Sequence, residues 1–150
     1  MKIHVENISA CSVVYMRRVG AYGEQNFKLM QSMKDWVQSQ NLWNDNGTIY
    51  AIAQDNPAVV PPEKCRYDVC YVTEQAIDDK LIHHGSLPEG AYLVCQIPHT
   101  TQDVQCFWGS IGNILAHEEK QLDESRPILE RYQFALVENG YCEFCIPIFG

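Results

Sequence analysis

Glu130 is the residue whose type and setting point most directly to chemistry. It lies in the run Pro127-Ile128-Leu129-Glu130-Arg131-Tyr132-Gln133-Phe134. In a β-strand, side chains alternate between two faces. Ile128, Glu130, Tyr132 and Phe134 then share one face. Leu129, Arg131, Gln133 and Ala135 share the other. Glu130 is set among apolar neighbours, and Arg131, its natural partner, points away. A buried carboxylate without a partner is costly. It persists by taking up a proton, by accepting hydrogen bonds, or by meeting a cationic ligand. A plainer reading stands beside this one: an edge strand with Glu130 reaching water, or a hydroxyl or amide that satisfies it.

The chain is rich in rings, with eight Tyr, five Phe and three Trp. Aromatic faces beside a carboxylate suit flat cationic or amphiphilic molecules, because the ring supplies both area and cation–π attraction. The candidates for such walls are Tyr15, Tyr50, Tyr67, Tyr71, Tyr92, Trp108 and Tyr132, each of which also has an ordinary packing role open to it. Phe107 and Trp108 are adjacent, so only one of them points straight into a core. No Gly-x-Ser-x-Gly elbow, phosphate-binding glycine loop or His-Glu-x-x-His zinc motif is present. Cys95 and His99 share a strand face but stand roughly 13 Å apart, too far to act as nucleophile and base. Glu130 with a nearby tyrosine retains the makings of a general base.

The elements that position these residues follow from periodicity. Val13–Met16 is a strand, expected to pair with a strand around Ile3 and Val5. From Glu24 to Gln40, Phe27, Met30, Met33, Trp36 and Val37 recur at helical spacing. Ile49–Gln54 and Cys65–Thr73 are strands, separated by a proline-containing loop, and His83-His84 reads as loop. The same order recurs. Gly90–Ile97 is a strand. Thr100 or Thr101 caps a helix whose face is Val104, Phe107, Trp108, Ile111, Ile114 and Leu115. Ile128–Leu136 and Tyr141–Ile148 form a hairpin across Glu138-Asn139-Gly140. The last strand is expected to turn Glu143 outward to solvent. The expected fold is α+β: two pseudo-symmetric strand–helix–strand–strand repeats, roughly 1–75 and 88–150 of a single domain over 1–150. They form one antiparallel sheet with two helices on one face and a cleft between the repeats.

Composition narrows the function. Apolar residues make up 46% and charged residues 20% of the chain, as in a globular protein with a real core. A formal net charge of −8 argues against nucleic acid and for cationic partners. No apolar run has the length of a membrane helix, and no leader is evident, so a cytoplasmic protein is expected. The seven cysteines are odd in number and lie mostly in apolar segments, which suits free buried thiols. Cys142 and Cys145 fall on opposite strand faces. Neither a metal nor a cofactor is expected.

The residues also carry a family resemblance. Val13 to Gly23, Val-Val-Tyr-Met-Arg-Arg-Val-Gly-Ala-Tyr-Gly, resembles the opening signature of the GyrI-like small-molecule-binding domain. This is the effector-binding module of AraC-type and MerR-type multidrug regulators. Tyr50–Pro57, Glu63–Cys70, Gly90-Ala91-Tyr92, Pro127–Tyr132 and Cys145–Ile148 resemble later segments of that domain, in the same order. The resemblance implies that Glu130 is an acidic pocket residue meeting cationic drugs, with Tyr50, Tyr67, Trp108 and Tyr132 among its walls. It implies a binding protein rather than an enzyme, without a DNA-binding domain of its own in this chain. It also implies two other possible roles: binding a protein such as gyrase or a regulator, and hydrolysis of reactive natural products by Glu130 and a tyrosine.

Overall fold

The computed structural model describes residues 1–150. Its elements are β1 (Lys2–Ile8), β2 (Cys11–Val19), α1 (Glu24–Ser39), β3 (Thr48–Ala53), β4 (Arg66–Val72), β5 (His83–Leu87), β6 (Gly90–Pro98), α2 (Thr101–His117), β7 (Leu129–Gln133), α3 (Phe134–Glu138) and β8 (Tyr141–Pro147). The strands make one antiparallel sheet in the order β1-β6-β8-β7-β3-β4-β2-β5. The doubling is evident: β2-α1-β3-β4 is followed by β6-α2-β7-β8. The two halves join where β3 pairs with β7.

Each long helix is held by the apolar stripe its sequence shows. In α1 the buried residues are Met33, Trp36 and Val37. Phe27, placed by periodicity on the same stripe, is instead 69% exposed near the start of the helix. In α2 the buried residues are Phe107 and Ile114. Thr100 caps α2, its hydroxyl accepting the Asp103 N–H at 3.1 Å. The α1 side carries one core, with Val14, Ile49, Val69 and Phe134. The α2 side carries another, with Leu93, Phe144, Ile146 and Ile148.

Several local expectations are corrected. β2 does not pair with β1; it lies between β4 and β5, while β1 pairs with β6 from the second half. His83-His84 opens β5, a mostly exposed edge strand without the apolar alternation that marks buried strands. The strand through Glu130 ends at Gln133, where one helical turn begins. That break is fixed by packing. Phe134 stacks on Trp43 at 4.2 Å between ring centroids, and its N–H donates to Gly47 O. A Cβ on Gly47 would stand 2.5 Å from the Phe134 ring, so only glycine admits this approach.

The connections dictate the curvature of the sheet. β1 is first in the sheet and β2 seventh, yet only Ser9 and Ala10 join them. Six strand spacings in a flat sheet are about 29 Å, whereas three residue steps reach about 11 Å at most. β5 and β6 are joined just as tightly by Pro88 and Glu89. The sheet must therefore cup, bringing its two edge pairs together beside the twin links. The concave face fills itself with Val13, Tyr50, Ile52, Cys70, Tyr92, Val94, Leu129 and Cys145, all from strands. This is why Glu143, expected to face water, is buried: its side of β8 lines the cup, and it ion-pairs with Arg131 at 2.9 Å.

Candidate functional site

Glu130 faces the helices. Its strand neighbours are Ala51 on β3 and Phe144 on β8. By register, Ile49, Ala51 and Ala53 of β3 and Tyr67, Val69 and Tyr71 of β4 share its face. Small side chains on β3 leave room above the seam between the halves. α1 packs on β2 and β4 and α2 on β6, so the seam at β3 and β7 is the floor between them. Tyr132 packs against both helix-side cores, which places it on that seam.

The Tyr132 hydroxyl donates to Glu130 Oε2 at 2.8 Å. Tyr67 is a second phenol acting on the same carboxylate. No arginine, lysine or histidine pairs with it. Burial pushes the Glu130 carboxyl from the ordinary 4.5 up to about 7, and the two phenols only partly oppose this. The Glu130 residue is only partly exposed, and protein surrounds its carboxyl on nearly all sides. Burial, and then the charge of Glu130, pushes the Tyr67 and Tyr132 phenols upward, so both remain proton donors.

Two residues along from Glu130 and Ala51, on the same face, lie Ile128 and Ala53, and both line a cavity of about 670 Å³. Tyr22, Asn56, Trp108, Glu124 and Arg126 are also in its wall. Glu130, Tyr67 and Tyr132 are not part of that wall; they lie just inward of it along the same face. Trp108 is 40% exposed and meets Phe144, the cross-strand neighbour of Glu130, edge-on at 5.3 Å. Phe107 is the residue that goes into the core, stacked on Phe144 at 4.1 Å. At the other end of the seam the His99 ring lies 5.4 Å from Tyr132.

Of the eight residues singled out by sequence, Tyr71 is packed in the α1-side core with its hydroxyl donating to Leu42 O, and the other seven separate into two groups. Glu130, Tyr67, Tyr132 and Trp108 come together on the helix face. Tyr15, Tyr50 and Tyr92 lie on the opposite face. Tyr50 and Tyr92 are buried in the cup, and Tyr15 flanks a separate cavity of about 210 Å³ beside Arg17 and Asp68. A strand's alternation says which of its residues agree in direction, but not how they relate to Glu130 on another strand. Tyr22 was missed. Its ring stands 6.2 Å from Tyr67 and its hydroxyl donates to Arg66 O at 2.8 Å. Its sequence signal was an aromatic between two glycines just ahead of a helix. Cys142 and Cys145 fall on opposite faces, as strand spacing requires.

The sequence and the fold match known proteins. The model of the GyrI-like small molecule binding domain matches residues 1–148. YosT of Bacillus subtilis (strain 168), an SPbeta prophage-derived protein named as a transcriptional regulator, is 39% identical over 99% of both chains. A DNA gyrase inhibitor of Serratia proteamaculans (strain 568) is 30% identical over 73% of this chain and 72% of its own. Among solved structures, the EcmrR C-terminal domain has a TM-score of 0.75 at 11% identity, covering 99% of this chain and 97% of that one. SAV2435 bound to tetraphenylphosphonium has a TM-score of 0.64 at 15% identity, covering 100% and 95%. A hydrolase from Listeria innocua has a TM-score of 0.63 at 8% identity, covering 99% and 92%. These structural likenesses concern the fold. The family match spans nearly every residue and the relative YosT is full-length: the chain belongs to the GyrI-like small molecule binding domain family.

Proposed function

We propose that this protein is a receptor for cationic, lipophilic small molecules, bound between α1 and α2 with Glu130 as anchor. One observation carries the reading. Glu130 is an enclosed carboxylate satisfied only by phenols, with no cation from the protein beside it. A cationic ligand would supply the missing charge and hold the carboxyl ionised. Such a charge-assisted contact contributes roughly 1.5–3 kcal/mol. Tyr67, Tyr132 and Trp108 would give ring area around it. The seven unpaired cysteines suit a reducing compartment, and we place the protein in the cytoplasm. The test is titration of tetraphenylphosphonium into wild type and Glu130→Gln. Loss of most of the affinity in the variant supports the reading; equal affinity ends it.

Two other roles are open to direct assay. The gyrase inhibitor among the relatives motivates a supercoiling assay, in which inhibition by Glu130→Gln as strong as by wild type would separate a protein-binding surface from the cleft. A carboxyl near pKa 7 hydrogen-bonded by Tyr132 also has what a general base in hydrolysis needs. Mass spectrometry of a bound electrophile would reveal turnover.

A further inference from the structure

A second carboxylate without a partner stands at the mouth of the same cleft. Two charged residues besides it line that cavity, Asp55 and Arg126; both are ion-paired, and only Arg126 Nη1 is left buried without a hydrogen-bond partner. Asp55 accepts from Arg66 Nε at 3.0 Å, Arg66 Nη2 at 2.9 Å and the Arg66 backbone N–H at 2.7 Å. Arg126 donates to Asp123 at 3.2 Å and to the carbonyls of Ala91 and Ile148 at 3.1 and 2.9 Å. Its neighbour Glu124 lines the 670 Å³ cavity, is exposed, and makes neither a hydrogen bond nor an ion pair. The half-exposed indole of Trp108 and the side chain of Ile128 line the same cavity, and Ile128 leads inward to Glu130.

The cleft therefore holds uncompensated negative charge at two depths, with apolar and aromatic wall beside the path between them. A ligand with one positive centre answers only the inner carboxylate. We propose that the cleft takes ligands with two cationic centres joined by an apolar spacer: the inner one against Glu130, the outer one against Glu124. The proposal rests on the reading of Glu130 given above. Six residue steps separate the two acids, which bounds the spacing of their Cα atoms at roughly 20 Å of extended chain. The outer contact is solvent-exposed, so it should be weak and sensitive to salt, unlike the inner one.

The probes are butyl-, hexyl- and decyl-triphenylphosphonium, each compared with the same chain ending in a trimethylammonium group. Affinities are measured by calorimetry at low and high salt for wild type, Glu124→Gln and Glu130→Gln. The wild type should favour the doubly charged probe of matching length by about fivefold at low salt. Glu124→Gln, an exposed turn substitution, should erase that preference and leave the singly charged probe unchanged. Glu130→Gln should weaken both. No preference at any chain length, or a preference that survives Glu124→Gln, overturns the two-centre proposal and leaves the Glu130 reading intact. Equal binding of the singly charged probes by wild type and Glu130→Gln, or no binding by either, overturns both.

Discussion

Glu130 and Glu143 lie on adjacent strands, both enclosed, on opposite faces of one sheet. Glu143 sits in the strand-lined cup, held by Arg131 at 2.9 and 3.0 Å and by Gln133 at 2.8 Å. Arg131 reaches on to Glu6 of β1 at 2.7 Å, and this pairing holds the Glu6 carboxyl down at about 2. Glu130, on the helix side, has only phenols. The difference teaches which carboxylate serves the fold and which is left for something else. A structural acid in a low-dielectric interior is paired and fully hydrogen-bonded, because breaking such a pair leaves a bare charge. An acid left without a cation costs stability, and that cost is tolerated where a ligand can remove it.

The comparison can be broken from the structural side first. Arg131→Met leaves Glu143 and Glu6 without their shared cation, and should lower stability by about 3–5 kcal/mol in denaturant titration. A loss well under 1 kcal/mol would mean the cup network is not a staple. Glu130→Gln should go the other way. The folded carboxyl holds its proton up to about 7, whereas an unfolded one releases it near 4.5. Stability from the protonated form is thus full below pH 4.5 and is lost as pH rises through 7. At pH 8 the variant should be more stable than wild type by about 2–3 kcal/mol, with little difference at pH 4.5. A variant less stable than wild type at both pH values would place Glu130 with Glu143 as a structural acid.

The same titration should govern binding. A permanently charged cation such as tetraphenylphosphonium meets an ionised Glu130 at pH 8 and a mostly protonated one at pH 6. Its affinity should fall about tenfold over that range in wild type and stay flat in Glu130→Gln. A flat wild-type profile would detach the ligand from the carboxyl. The smallest effect is expected at the wall. Trp108→Ala should weaken cation binding by about 0.5–1 kcal/mol with little change in melting temperature, since its ring is half in solvent.

Much of the helix side was legible in the sequence. Met33, Trp36 and Val37, and Phe107 and Ile114, are buried where helical spacing put them. Glu130 and Tyr132 agree in direction because strand alternation is a local rule. What escaped was long-range. The exposed, weakly patterned residues of β5 gave no local sign of a strand, and nothing near Ile3 and Val5 named β6 as their partner. The relation of Tyr15, Tyr50 and Tyr92 to Glu130 depends on cross-strand register. The burial of Glu143 depends on the cupping of the sheet, which only the strand order and the twin short links together require. Phe134 was lost to a contact with Trp43, ninety-one positions away (134 − 43).

The pairing of β1 with β6 also bears on how the protein is made. Lys2 pairs with Gln96, so β1 waits for a partner made ninety-four residues later (96 − 2). At ordinary ribosome speeds that is about 5–20 s during which the first strand has no permanent neighbour. β5 differs: its partner β2 is already made when it emerges. During synthesis, then, β1 is more in need than β5 of a chaperone or of charge on its edge. Lys2 and Glu6, on one side of β1, supply that charge.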